Sequence, residues 1–339
     1  MMHFPDLAAF DAALARLPAA DEGAIAAARA RQGQLTKPPG SLGRLEEIAL
    51  FVAGWQGRAV PRIDRGRVTV FAGNHGVAAQ GVSAFPPAVT AQMVANFEGG
   101  GAAINALSGA AGLDLKVVPL LLDQPTQDFT RAPAMSEAEC LDALSAGAAA
   151  VEPGIDLLVL GEMGIANSTA AAALAARSFG GSALDWVGPG TGVTGAALAH
   201  KAAVIGRAIA VHADAPLTPF ETLRRVGGRE IAAIAGAVIA ARHQRVPVLL
   251  DGFICCSAVA PLAAAVPTIT AHCLAGHRSA EPGHGRLLDR LGLMPLLMLD
   301  MRLGEASGAA VAAGIVRAAL AAHAQMATFA EAGVASSGA

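Results

Sequence analysis

Leu157-Leu158-Val159-Leu160-Gly161-Glu162-Met163-Gly164-Ile165-Ala166-Asn167-Ser168-Thr169 carries an apolar run of strand length into a glycine-bearing turn, and an Ala-rich helix follows from near Ala170. A short apolar run that ends in glycine and gives way to helical composition is the sequence form of one βα unit. The pattern recurs. Val68 to Phe71, Leu115 to Leu121, Val246 to Leu250, Thr268 to Ala271 and Leu296 to Leu299 read as further strands, with Gln92 to Leu107, Leu198 to His212 and Glu230 to Arg242 as helices between them. That alternation predicts an α/β fold with a mostly parallel sheet flanked by helices. Ahead of it, residues 7 to 17 and 21 to 32 read as helices, then the turn Lys37-Pro38-Pro39-Gly40 and a capped helix from Ser41 to about Trp55. Residues 331–339 read as a flexible tail of small residues.

The chain has 339 residues, of which 54% are hydrophobic, enough to fill a large core. A net charge of -3, with charged residues at 15%, leaves no basic stripe for nucleic acid and favours a small-molecule substrate. Mean hydropathy is positive, but the uncharged run Gly252 to Ala271 is interrupted by Pro261 and Pro267, so no membrane span is expected. The start, Met1-Met2-His3-Phe4-Pro5-Asp6, lacks the basic and apolar regions of a signal peptide, and the four cysteines form no CxxC pair. Both features make the cytoplasm the expected compartment.

In parallel sheets ligands bind beyond the carboxyl ends of the strands, and the chemistry-bearing segments fall there: Gly73-Asn74-His75-Gly76, Gly161-Glu162-Met163-Gly164, Asp251-Gly252, Gly276-His277-Arg278-Ser279 and Arg302-Leu303-Gly304-Glu305. Glu305 leaves an apolar strand through a glycine at the start of an Ala-rich helix, where it reads either as a catalytic base or as a partner of the helix dipole. The amides around Gly164 and Asn167 can cradle a phosphate, or the turn simply requires glycine. It matches neither the P-loop nor the spaced dinucleotide fingerprint. Gly188 to Gly195, centred on Gly190, is a second glycine-rich turn, and the helix after it brings Lys201 within reach of an anion, one of only three lysines in the chain; a surface lysine on a flexible connection is the alternative. The loop around Ser279 holds His277 and His284, but its spacing fits no familiar zinc pattern, so no metal is expected. Ser83, Phe85, Gln92 and Met93 combine apolar and hydrogen-bonding groups that suit a flat aromatic base, or else belong to the core. No GxSxG nucleophile elbow occurs.

Taken together, Leu35 to Glu46 (LTKPPGSLGRLE), Asn74-His75-Gly76-Val77 with Gly81-Val82-Ser83-Ala84-Phe85-Pro86, Gly161-Glu162-Met163-Gly164-Ile165, Ser279-Ala280-Glu281-Pro282-Gly283-His284 and Arg302-Leu303-Gly304-Glu305 resemble the nicotinate-nucleotide dimethylbenzimidazole phosphoribosyltransferases. The resemblance runs from about residue 30 to 325. It implies a Rossmann-like sheet in residues 61–305, a small helical domain from residues 1–60 completed by a helix at about 306–330, and a homodimer. It also implies transfer of the 5-phosphoribosyl group of nicotinate mononucleotide to 5,6-dimethylbenzimidazole without a cofactor, giving α-ribazole 5'-phosphate in cobalamin lower-ligand assembly. Alternatives are a different base, a phenolic acceptor, or a non-catalytic nucleotide-binding subunit. A Rossmann oxidoreductase is disfavoured by the absent dinucleotide fingerprint. By the same resemblance Glu305 is the catalytic base and Glu162 the second active-site carboxylate. Ser83 and Gln92 lie in the base region, with Phe85 and Leu303 also counted as substrate-binding. Gly164, Lys201 and Ser279 lie with the nucleotide, as Asn167 and Gly190 do by their turns. The chain departs from the family pattern at Ala166, where a glycine is common, at Ser168, where a threonine is common and the hydroxyl is kept, and at Asn74, where an aspartate is common.

Overall fold

A computed structural model describes residues 2–335. Six strands, β1 (Gly66–Ala72), β2 (Asp114–Pro119), β3 (Leu157–Met163), β4 (Val248–Leu250), β5 (Cys273–His277) and β6 (Pro295–Leu297), form one sheet. All pairings are parallel, in the order β2-β1-β3-β4-β5-β6. The direction of strand addition reverses between β1 and β3, and there a crevice opens at the carboxyl edge.

Side chains alternate across the pleat and both faces are covered, as parallel sheets require. Leu158 and Leu160 join one apolar layer, Leu157 and Val159 the other. The first layer is built by α6 (Glu137–Ala149), α7 (Asn167–Phe179), α9 (Pro219–Val226), α10 (Arg229–His243), α11 (Phe253–Ala265) and α12 (Pro282–Leu291). α8 (Gly195–Val211) packs outside α7, and α1 (Leu7–Ala15) joins this layer through the edge-on stack Phe4–Phe10–Phe220. The second layer holds α3 (Arg44–Gln56), α4 (Ala88–Glu98), α5 (Ala103–Ala110) and α13 (Ser307–Gln325), with α2 (Glu22–Gln32) against α3. By length and composition α13 is apolar enough to cross a membrane. Here its Ala309, Ala310, Ala313 and Val316 are buried in the layer beneath the sheet.

Several sequence expectations shift. Thr268 to Ala271 is not a strand: Pro267 opens a 3₁₀ turn over Pro267–His272, tied by the Thr270 hydroxyl to the Leu291 carbonyl at 3.2 Å, and the strand is Cys273–His277. The single helix expected over Gln92 to Leu107 is two, because Gly99-Gly100-Gly101 ends α4 with Gly100 at φ +78°. Ser41 does not cap α3. The helix starts at Arg44 after Gly43 at φ +51°, and the Lys37 ammonium meets Glu46 at 2.7 Å. The last strand stops at Leu297, two residues early. Of the expected tail, Glu331 and Ala332 end a short helix, α14 (Phe329–Ala332), capped by Thr328. Residues 336–339 lie outside the described residues. The four cysteines are free and buried.

Two glycines let α13 approach the sheet. A Cβ on Gly161 would lie 2.4 Å from the Ala306 amide nitrogen, and one on Gly276 would lie 2.6 Å from Ala309 Cα. Gly161→Ala is therefore expected to lower stability by about 1–3 kcal/mol, the usual cost of overpacking, read as a lower melting temperature by calorimetry. Ala166 sits at φ +74°, in the left-handed region that penalises a Cβ. Ala166→Gly is expected to raise the melting temperature through relief of about 1 kcal/mol.

Candidate active site

A cavity of about 460 Å³ opens at the carboxyl edge beside the switch point. Glu162 closes β3 and is buried; its Oε2 accepts a hydrogen bond from Asn167 Nδ2 in the first turn of α7. Glu305 is not in the first turn of α13. It precedes the helix by two residues, at φ +63°, followed by Ala306 at φ +69°. This double left-handed turn points the carboxylate into the cavity rather than along the helix axis. Gly304, between Leu303 and Glu305, lets the two acids share the site, since a Cβ there would lie 2.6 Å from Glu162 Oε1.

Burial shifts both carboxyls. The Glu162 carboxyl is pushed up to about 8 by desolvation, reinforced by the Glu230 and Asp251 carboxylates and opposed by the Asn167 amide. Burial also raises Glu305 above the usual carboxylate range. Beneath them Asp251, at the end of β4, accepts the Ala309 N–H at 2.8 Å. Desolvation outweighs these amides and lifts it to about 7. The imidazole of His75 meets Glu230 at 2.5 Å in full burial, bracing the floor below Gly73 and Gly164.

The structure gathers eight of the eleven expected site residues on this cavity wall: Glu162, Glu305, Phe85, Gly164, Asn167, Gly190, Ser279 and Leu303. Lys201 stands just behind the wall, with its ammonium 2.8 Å from Ser168 Oγ and 2.9 Å from the Gly188 carbonyl. Its burial depresses it to about 8. Ser83 is at the rim, its hydroxyl 3.0 Å from that of Thr191. Gln92 is exposed and lines nothing here, because Val89 and Met93 present the face of α4 toward the cavity. Ser279 is held by His284, whose Nδ1 accepts the Ser279 N–H at 2.9 Å. Thr191, His277, Glu281 and Arg302 also line the wall, though none is among the expected site residues. Their strand-end and glycine-turn positions were the available signal. Glu230 gave none, since it reads as an ordinary charge in a helix's first turn. Among the described residues no cluster of three His, Cys, Asp or Glu side chains is arranged to hold a metal ion.

A family model described as phosphoribosyltransferase matches residues 17–334. Curated nicotinate-nucleotide–dimethylbenzimidazole phosphoribosyltransferases match along the chain. That of Novosphingobium aromaticivorans is 70% identical over 99% of each chain. That of Methylocella silvestris is 57% identical over 95% of this chain and 94% of its own. The chain belongs to this family. A crystal structure of CobT from Thermus thermophilus is 42% identical and superposes with a TM-score of 0.86, covering 93% of this chain and 100% of that one. The protein is thus a phosphoribosyltransferase of the cobalamin-assembly type, built on the family's α/β fold.

Within this family frame the raised carboxyls leave a signature in stability. A carboxyl raised on folding holds its proton more tightly folded than unfolded, so its contribution is complete below the ordinary value of 4.5 and is lost as pH rises through about 8 for Glu162. The melting temperature is expected to fall between pH 5 and pH 9. Glu162→Gln, which carries no titrating proton, is expected to flatten that fall when both proteins are scanned across the range.

Proposed function

We propose that the enzyme transfers the 5-phosphoribosyl group of nicotinate mononucleotide to 5,6-dimethylbenzimidazole or a closely related base, with Glu305 as general base. The observation that carries this reading is the pairing of Glu305 and Glu162 in one cavity, whose apolar wall of Phe85, Val89, Met93 and Leu303 suits a flat aromatic ring. A ring nitrogen of the base attacks the ribosyl carbon as the bond to the pyridinium breaks and neutral nicotinate ring departs. The opposite ring N–H gives its proton to Glu305, so the product leaves uncharged at the base. Attack opposite the leaving group converts a β-nucleotide into an α-product. Holding both rings in line through the sugar carbon is the main work of the site.

Glu162 enters as a neutral acid at pH 7, since its carboxyl titrates near 8 in the empty site. The positively charged pyridinium ring of the nucleotide beside it favours the carboxylate. Glu162 then releases its proton on binding and faces the positive charge that builds on the ribosyl ring. On this reading the phosphate lies at the Gly190 turn near Lys201, with Gly164, Asn167 and Ser279 around the ribose, while Ser83 fixes the rim through Thr191. Gln92 serves the base only if α4 turns, and is left outside the proposal.

We also place the enzyme in the cytoplasm as a homodimer. Exposed Phe85, Met298, Leu299 and Leu303 on one sheet edge support an apolar contact with a second copy. The expected helical unit, residues 1–60 with 306–330 beside a catalytic 61–305, fits best as α2, α3 and α13, because α1 packs in the opposite layer.

Purified enzyme is expected to release nicotinate in step with consumption of a benzimidazole, and to release none without it. Glu305→Gln is expected to keep its melting temperature and nucleotide binding while turnover falls about 10²–10⁴-fold, roughly 3–5 kcal/mol of barrier. Turnover and melting measured on one sample separate this from a helix-dipole role, which predicts about 1 kcal/mol of lost stability and nearly full activity.

A further inference from the structure

Glu281 begins α12, yet its side chain makes no cap on that helix. It turns the other way, and Oε1 accepts the Gly190 N–H at 3.0 Å. Oε2 is buried without a hydrogen-bond partner, and it lies so close to the neighbouring turn that a Cβ on Gly188 would stand 1.9 Å from it. Lys201 and Arg302 act on the carboxylate electrostatically, while burial raises it. The Lys201 ammonium is itself anchored on Ser168 and Gly188, at the back of the same turn. An anionic oxygen held by the amide N–H of a glycine turn, with a lysine anchored at the back of that turn and an arginine on the same cavity wall, is the setting a phosphate takes. In the empty enzyme the anion is the protein's own.

We propose that Glu281 is a built-in competitor for the substrate phosphate: its carboxylate fills the Gly190–Lys201 cradle in the empty enzyme, yields it to the incoming 5'-phosphate, and by returning helps to expel the phosphorylated product. This rests on the placement of the phosphate at Gly190 and Lys201. A carboxylate and a phosphate dianion cannot both take the Gly190 amide beside one ammonium without strong repulsion, so nucleotide binding requires Glu281 to swing out or to take up a proton. The competition lowers affinity for substrate and product alike. That is useful at the end of the cycle, when substrate and product carry the same phosphate and tight binding of the second would slow turnover. Glu281 is thus a positioning residue that acts through the cradle, and the unpaired Oε2 marks the strained half of the exchange.

The test is calorimetric titration of inorganic phosphate into the wild-type enzyme, Glu281→Gln, Glu281→Asp and Lys201→Ala, with melting temperatures recorded on each. Glutamine keeps the length and an acceptor for the Gly190 N–H but removes the charge. Aspartate keeps the charge but is one methylene too short to stay in the cradle. Both are expected to bind phosphate about tenfold more tightly than wild type, and Lys201→Ala more weakly. In steady-state assays both Glu281 variants are expected to show a lower KM for nicotinate mononucleotide, stronger inhibition by phosphorylated product, and a kcat no higher than wild type. Weakened phosphate binding in Lys201→Ala, together with unchanged or weaker binding in both folded Glu281 variants, overturns the exchange and leaves the phosphate placement standing. Unchanged binding in Lys201→Ala removes the placement and the exchange together.

Discussion

The approach of α13 to the carboxyl edge of the sheet governs the rest of the structure. Its first turn comes down on β3 at Gly161 and on β5 at Gly276, where no side chain could be accommodated. Asp251 holds it there by accepting the Ala309 N–H at 2.8 Å. With the helix fixed so close, the chain arriving from β6 reaches it through three consecutive residues at positive φ, Gly304, Glu305 and Ala306, the last two not glycine. Such a turn costs about 1–2 kcal/mol for each non-glycine residue, and the packing of α13 against the second layer sustains it. The consequence is chemical: the Glu305 carboxylate, proposed here as the base, stands on a backbone supported from below by α13.

The same closeness concentrates negative charge. Glu230, Asp251 and Glu305 all raise Glu162, and Glu305 raises Asp251, while Glu305 itself is raised by burial. Buried acids in such numbers resist simultaneous ionisation, so the empty site stores protons near neutral pH. On the proposed reading the pyridinium ring of the nucleotide offsets that repulsion on entering. Behind the Gly190 turn the logic is inverse, with buried Lys201 depressed to about 8 by desolvation and the Glu281 carboxylate opposing that shift. On the proposed reading the acidic side meets the pyridinium of the nucleotide and the Gly190–Lys201 side its phosphate.

The strand-end rule made most of this legible from sequence. Apolar runs ending in glycine and a polar residue mark the sheet edge; Glu162 stands at the end of such a run in β3, whereas Glu305 lies several residues beyond the end of β6 and is brought to the same cavity by the turn into α13. The fifth strand was misplaced because Thr268 to Ala271 is as β-like as the true strand a few residues later, and only the turn opened by Pro267 separates them. Gln92 was chosen by residue type, whereas the cavity is reached from α4 by Val89 and Met93, four residues apart. Gln92 is rotated about 100° from Met93 and faces outward. Asp251 and Glu230 gain their meaning from burial, which no local pattern encodes.

Ala166 shows how these constraints act together. It occupies the left-handed position that opens α7, where the resemblance made glycine the common residue, and it is buried at 3% exposure. The strain of its Cβ is tolerated because the turn is fastened on both sides, by the Ile165 N–H on Thr90 Oγ1 at 3.1 Å and by Asn167 on Glu162. The Asn167 amide that secures the turn is also the group that favours the ionised form of Glu162. Backbone strain at residue 166 and proton affinity at residue 162 are therefore coupled through one side chain, so a change that loosens the turn also raises the pH at which Glu162 ionises.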